Sequence, residues 1–226
     1  MVALGSALGI EPSRLQYVAA NIGDFYSSFT VPKKDGTERT IQAPKSELKR
    51  IQRRINSRIF ELCQFPHFMQ GSIRDVNQPR DFVRNAQAHS KASTVIAADI
   101  EKFYPSVRPG HVTDIFKYFF AFSDDVTKVL VSITTLGGEL PQGAPTSSYV
   151  ANLVFYDDEP RLVADFHRIN LTYTRLIDDI TVSSSSKLST QRRSWVVNKI
   201  RGMVSGKGFR LHKGKLSVRD TGSAGV

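Results

Sequence analysis

Leu176-Ile177-Asp178-Asp179-Ile180-Thr181-Val182 sets two adjacent carboxylates inside a run that is otherwise apolar and β-branched. Leu171 to Arg175 and Ile180 to Ser183 read as two strands around that pair, so Asp178-Asp179 falls in a tight hairpin turn. Buried strands do not carry adjacent carboxylates without compensation. With no His or Cys nearby, the natural compensation is a hard divalent cation held by oxygen ligands. Towards the N-terminus, Thr94 to Ile100 is a second β-branched and alanine-rich run suited to a buried strand, and it delivers one carboxylate, Asp99. A lone Asp at a strand end is usually a cap. A strand-end Asp and a hairpin Asp-Asp on adjacent strands of one sheet can instead hold two Mg²⁺ ions about 3.5–4 Å apart, the geometry of two-metal phosphoryl transfer. The other pairs read as local structure: Asp124-Asp125 follows Ser123 at a helix start, and Asp157-Asp158 sits near a helix end before Pro160.

Composition bounds what surrounds these carboxylates. The chain has 226 residues, 40% hydrophobic and 23% charged, enough for one large domain or two small lobes, and this excludes disorder and fibre. Lys and Arg number 31 against 21 Asp and Glu, and the formal charge of +10 points to a polyanionic partner such as nucleic acid. The single cysteine, Cys63, excludes an internal disulfide and fits a reducing compartment, with the cytoplasm as default. Met1 to Ile10 is short and apolar but lacks a basic leader, and no segment combines length and apolarity enough to span a bilayer, so no membrane partner is expected.

The remaining elements follow from periodicity and punctuation. A short helix is expected around Arg14 to Ala20, then extended pieces at Ser27 to Val31 and Arg39 to Gln42 with Asp35-Gly36 as the hairpin turn. Leu48, Ile51, Ile55, Ile59 and Leu62 recur at helical spacing. The opposite face carries Lys49, Arg50, Arg53, Arg54 and Arg58, which a solvated helix face and a phosphate-contacting face explain about equally well. Phe65 to Ser93 reads as loop-rich. Helices are expected in His111 to Phe122, in Asp125 to Thr134, and after Leu140-Pro141-Gln142-Gly143-Ala144-Pro145, where Tyr149, Leu153 and Tyr156 share a face. A further helix runs through Trp195, Ile200 and Met203, and Phe209 to Val218 reads as extended.

Five of these stretches, in this order, resemble a reverse transcriptase, and the resemblance runs from Val31 to about Val218. Val31-Pro32-Lys33-Lys34-Asp35-Gly36 with Arg39 resembles the fingers hairpin, and Asp99 to Val107 the first palm motif. Leu140 to Ser147 resembles the second, Leu176-Ile177-Asp178-Asp179 stands at the Tyr-x-Asp-Asp hairpin, and His212-Lys213-Gly214-Lys215 resembles the lysine-bearing strand after it. Asn85-Ala86-Gln87-Ala88-His89 matches the N-A-x-x-H signature of the bacterial retron type, against a related group II intron or defence-associated enzyme.

The resemblance implies an α/β (α+β) right-hand polymerase with an antiparallel palm sheet flanked by helices. Residues 1–93 would form an N-terminal helix and fingers, and residues 94–226 the palm, with fingers elements interleaved around 111–140. It also implies RNA-directed DNA synthesis with two Mg²⁺ ions at Asp99, the Ile100 backbone, Asp178 and Asp179. Lys33 and Arg39 would contact the triphosphate of a dNTP, Lys34 being the weaker candidate. Tyr104 would be the plate under the incoming sugar, with Phe103 in the core. Gln142 and Gly143 would line the nucleotide pocket, and Lys215 would meet the leaving pyrophosphate, with Lys213 an equal candidate from sequence. The retron type adds a structured RNA as template and primer, an RNA-DNA hybrid product, and anti-phage defence with an effector protein as a possible partner. Two departures stand out. Leu176 replaces the family's hairpin tyrosine, and the family's primer grip and helical thumb lie past Val226, which stands where the retron V-T-G hallmark begins. The alternative of another class is a non-catalytic RNA-binding remnant.

Overall fold

The computed structural model describes residues 1–32, 36, 38–75 and 77–220. The chain divides into two compact units, Met1–Gln64 with Tyr104–Val154, and Phe65–Phe103 with Phe155–Val226. The first begins with helices α1 (Val2–Leu8) and α2 (Pro12–Ala20), the antiparallel hairpin β1 (Tyr26–Pro32) and β2 (Glu38–Pro44), and helix α3 (Ser46–Arg58). Helix α3 follows its apolar spacing: Leu48, Ile51 and Ile55 are buried and Lys49, Arg50, Arg53 and Arg58 are exposed. Gln52 is the polar exception on the buried face, and its amide donates to the Tyr26 hydroxyl and the Ile133 carbonyl, both at 2.9 Å.

The apolar face expected to continue to Leu62 does not. The α-helix stops at Arg58, and a 3₁₀ turn at Phe60–Leu62 changes the pitch, so Leu62 is 76% exposed. Phe60 turns inward instead, with its ring 5.8 Å from Phe116, 5.8 Å from Phe120 and 5.4 Å from Tyr149. That aromatic packing outweighs the periodicity of the sequence.

The second unit contributes α4 (Phe82–Ala88) and β3 (Thr94–Asp99) before the chain, through the short α5 (Phe103–Ser106), returns to the first. Helix α4 is the helical exception in the loop-rich stretch from Phe65 to Ser93. Phe82 and Val83 are exposed, so no apolar stripe announces the helix, yet Asp81 caps it by accepting the Arg84 amide at 2.8 Å. The first unit continues with α6 (Pro109–Asp114), a π-helical turn at Ile115–Phe119, α7 (Asp124–Thr134) and α8 (Ser147–Leu153). Helix α8 ends before Tyr156, which therefore does not share its face with Tyr149 and Leu153.

The second unit resumes with α9 (Glu159–His167), with Pro160 in its first turn, then β4 (Leu171–Leu176), β5 (Asp179–Ser184), α10 (Thr190–Gly206) and β6 (Ser217–Asp220). Its sheet is antiparallel throughout in the order β4-β5-β3-β6. Ile96, Ile180 and Val182 are fully buried, each contributing roughly 1.5–3 kcal/mol of apolar burial. Phe166 of α9 packs against Tyr173 of β4 and Trp195 of α10 at 6.1 and 5.8 Å. The run expected to be extended from Phe209 is broken by a 3₁₀ turn at Lys213–Lys215, and only Ser217–Asp220 joins the sheet. Mixed helices with an antiparallel sheet are the class that the sequence implied. Among the described residues no helix is long and apolar enough to cross a membrane.

Candidate active site

Strand pairing assembles the carboxylates. β3 and β5 run antiparallel with Asp99 opposite Asp179, and β4 pairs with β5 so that Leu176 also faces Asp179. Ile177 and Asp178 are therefore the two turn residues, and the Ile100 amide donates to the Asp178 carbonyl at 3.0 Å. The segment after α10 is stitched to the end of β3: the Glu101 amide donates to the Arg210 carbonyl at 2.8 Å and the His212 amide to the Asp99 carbonyl at 2.8 Å. That register brings Lys215 in, and its ammonium meets Asp99 Oδ2 at 2.7 Å. Of the two lysines that the sequence left level, it is Lys215 that makes this ion pair.

The electrostatics are those of crowded anions. Asp179 opens to solvent on one side, yet its carboxyl is pushed above the ordinary aspartate value. Loss of hydration is the main cause, followed by the charges of Asp178 and Asp99, with Lys215 opposing. Lys215 is pushed up by its bond to Asp99 and by the charges of Asp99, Asp179 and Asp178. Among the described residues no three His, Cys, Asp or Glu side chains stand as a finished metal site. The donor chemistry nevertheless suits a hard divalent cation: the donors are oxygens only, and they carry more negative charge than Lys215 balances.

The first unit holds Arg39, Tyr104, Gln142, Gly143 and the basic face of α3. Arg39 is exposed on β2. Lys33, Lys34 and Asp35 lie outside the described residues, as does Val226. Further along β2, the Gln42 amide donates to the Gln142 carbonyl at 2.9 Å. Gly143 has φ 116°, and a Cβ there would lie 3.1 Å from Ile41 Cγ2 and 3.2 Å from the Gln42 carbonyl oxygen, so β2 makes the close approach that demands glycine. Tyr104 is half-buried with its hydroxyl 3.4 Å from Ser148 Oγ. Phe103 is core, stacked on Phe155 at 5.9 Å.

On α3, Lys49, Arg50 and Arg53 line a groove of about 350 Å³ with Ser46 and Ser57. Arg54 also lines it, but its guanidinium donates to the carbonyls of Leu8 and Gly9 at 2.8 and 2.6 Å, capping the end of α1. That commitment sets Arg54 apart from the other four cations of the face.

In the signature stretch, Ala86 is exposed on α4, and Asn85 Oδ1 is buried without a hydrogen-bond partner among the described residues. His89 ends the helix with both ring nitrogens engaged, Nδ1 with Ser183 Oγ and Nε2 with Thr174 Oγ1, each at 2.7 Å. Burial holds its pKa below the ordinary value, so the ring clips α4 to β4 and β5 as a neutral imidazole.

Sequence reasoning passed over Arg175 and Glu159. Both are fully buried, and they form a bidentate pair, Nε to Oε1 at 2.6 Å and Nη2 to Oε2 at 2.7 Å. An arginine one residue before Leu176 in an apolar strand is itself an anomaly that calls for a buried partner.

The family model of "Reverse transcriptase (RNA-dependent DNA polymerase)" matches residues 31–221. The chain belongs to the reverse transcriptase family. This reverse transcriptase chain is 38% identical over 216 residues to the retron Se72 reverse transcriptase of Salmonella heidelberg, covering 95% of this chain and 56% of that protein. It is 36% identical over 223 residues to the retron Ec48 reverse transcriptase of Escherichia coli, covering 95% and 54%. These relatives carry the retron name that the signature at Asn85, Ala86 and His89 implied. The chain spans about half the length of the curated relatives it matches. Among solved structures, apo telomerase from Candida tropicalis superposes with a TM-score of 0.55 at 10% identity, over 87% of this chain and 44% of that one, a likeness of fold.

Proposed function

We propose that the protein is an RNA-directed DNA polymerase of the retron type, adding deoxynucleotides to a primer on an RNA template in the cytoplasm. The observation that carries the reading is the β3–β5 pairing that sets Asp99 opposite Asp179 beside the Asp178 turn. In this reading Asp99, the Ile100 backbone, Asp178 and Asp179 would hold two Mg²⁺ ions, whose chemistry there would be Lewis-acid activation of a primer 3′-hydroxyl and charge stabilisation of the leaving pyrophosphate. Lys215 stays protonated beside the carboxylates and exchanges Asp99 for phosphate oxygens as the ligands arrive.

Residues 1–93, with elements interleaved around 111–140, act as fingers and residues 94–226 as palm. Lys33 and Arg39 bind the triphosphate, and Gln142 offers its amide to nucleotide or template beside Gly143. Tyr104 supports the sugar and excludes a 2′-hydroxyl. Lys49, Arg50, Arg53 and Arg58 hold RNA phosphates, recognising a structured template by shape and charge. The retron names of the relatives support the retron type; that type would add a cognate RNA serving as template and primer, an RNA-DNA hybrid as product, and a role in anti-phage defence alongside an effector protein.

The test is Mg²⁺-dependent extension of a DNA primer on an RNA template by the 226-residue protein, with Asp178→Ala/Asp179→Ala as control. Extension by the wild type alone supports the reading. A folded wild-type protein that binds RNA without extending the primer would replace it with an RNA-binding role.

A further inference from the structure

The turn that carries Asp178 is strained. Ile177 has φ 61°, a left-handed conformation that a β-branched side chain rarely adopts. The strain is held from two sides. Arg175 Nη1 donates to the Ile177 carbonyl at 2.9 Å, while its other nitrogens grip Glu159. Glu159 is fixed in turn by the Tyr173 hydroxyl at 2.6 Å. Beneath the turn, Gly71 leaves room for Ile177: a Cβ there would lie 2.8 Å from Ile177 Cγ1. The Arg175 backbone is clamped as well, its amide to the Phe68 carbonyl and its carbonyl to the Gln70 amide, both at 2.8 Å. A fully buried ion pair adds little net stability, so its presence asks for another purpose. The bond to Ile177 supplies one.

We propose that Arg175, locked by Glu159, is a positioning residue that holds the Ile177-Asp178 turn in its left-handed form and so aims Asp178 and Asp179 at the metal. The inference rests on the reading of these aspartates as ligands. Arg175→Lys keeps the charge but cannot reach both Glu159 and the Ile177 carbonyl. Arg175→Met/Glu159→Leu keeps the interior filled without the hold, should the single variant fold poorly. Each variant would be compared with wild type and Asp178→Asn by Mn²⁺ titration under electron paramagnetic resonance, by hydrogen exchange of the Ile100 amide, and by primer extension. The expected result is Mn²⁺ affinity weaker by about tenfold, the range for losing a group that orients a metal ligand, with faster exchange at Ile100. In extension, kcat should fall while KM for dNTP stays put. Adding Ile177→Asn, which tolerates the left-handed region, should recover part of the loss. Folded variants with wild-type Mn²⁺ affinity and wild-type exchange would overturn the proposal. If the wild type binds Mn²⁺ no better than Asp178→Asn while exchange at Ile100 still rises in Arg175→Lys, the ligand reading fails and the hold on the turn survives.

Discussion

The hairpin β1–β2 and the hairpin β4–β5 are both antiparallel pairs, and their surroundings are opposite. From Ser27 to Pro32 every residue of β1 is exposed, and β2 is exposed from Glu38 to Thr40, half-buried from Ile41 to Ala43 and buried at Pro44. β4 is buried at four of six positions, with an arginine–glutamate pair beneath its turn. An exposed hairpin can bring a charge such as Arg39 to a solvated phosphate at small cost. A buried one can fix anions in place, but only where cations and hydrogen bonds compensate for lost hydration. The difference predicts where each substitution will be felt.

The largest effect belongs to the aspartates at the turn of the buried hairpin. Asp178→Ala/Asp179→Ala should cut primer extension by roughly a thousandfold or more, the scale of losing a preorganised electrostatic centre, with RNA binding intact in a filter assay. Next comes the pair that supports it. Glu159→Ala leaves the Arg175 charge buried alone and should destabilise the protein by about 3–5 kcal/mol in urea unfolding. Arg39→Ala on the exposed hairpin should change stability by no more than about 0.5 kcal/mol; a comparable loss at both sites would break the contrast. Gly143→Ala tests the close approach of β2 to Gly143. Its φ of 116° and the nearby Ile41 should make alanine cost about 1–3 kcal/mol, read as a lowered thermal midpoint.

Smaller still is the change at β6, the edge of the sheet. Asp220 accepts from Arg193 at 2.8 Å and from Thr94 at 2.8 Å, and these bonds hold its carboxyl below the ordinary 3.8. A folded-state pKa below the unfolded one gives stability that is present above pH 3.8 and lost as pH falls through the folded value. Asp220→Asn should therefore melt below wild type at neutral pH, with the gap narrowing as the pH drops below about 3.8.

How much of this was legible depends on whether a residue contradicts its neighbours. Asp99 and Asp178-Asp179 stand out because a carboxylate in a β-branched run is an anomaly in one dimension, and strand pairing then joins them. Helix α3 was legible up to Arg58 because its apolar period holds that far; Leu62 misled because the pitch changes where Phe60 finds an aromatic cluster, a reward set by residues distant in sequence. Helix α4 had no buried stripe to read, although Asp81 with Arg84 three residues on marks its start. Arg54 looked like its neighbours on the basic face, and only the end of α1 shows where it turns. Gly71 carried no sign of its role, since the Ile177 above it is separated from it by more than a hundred residues.

The most direct test sets the two regions against each other in one experiment: single-turnover extension at saturating RNA template by Asp178→Ala/Asp179→Ala and by Lys49→Ala/Arg50→Ala/Arg53→Ala, side by side with wild type. The basic-face variant should need more RNA to saturate, with its salt dependence reduced by about one unit for each phosphate no longer neutralised, and then extend at the wild-type rate. The aspartate variant should bind RNA as wild type does and extend the primer at least about a thousandfold more slowly. Extension by the aspartate variant at a rate near wild type would contradict the assignment of the Asp178-Asp179 hairpin as the centre of the chemistry.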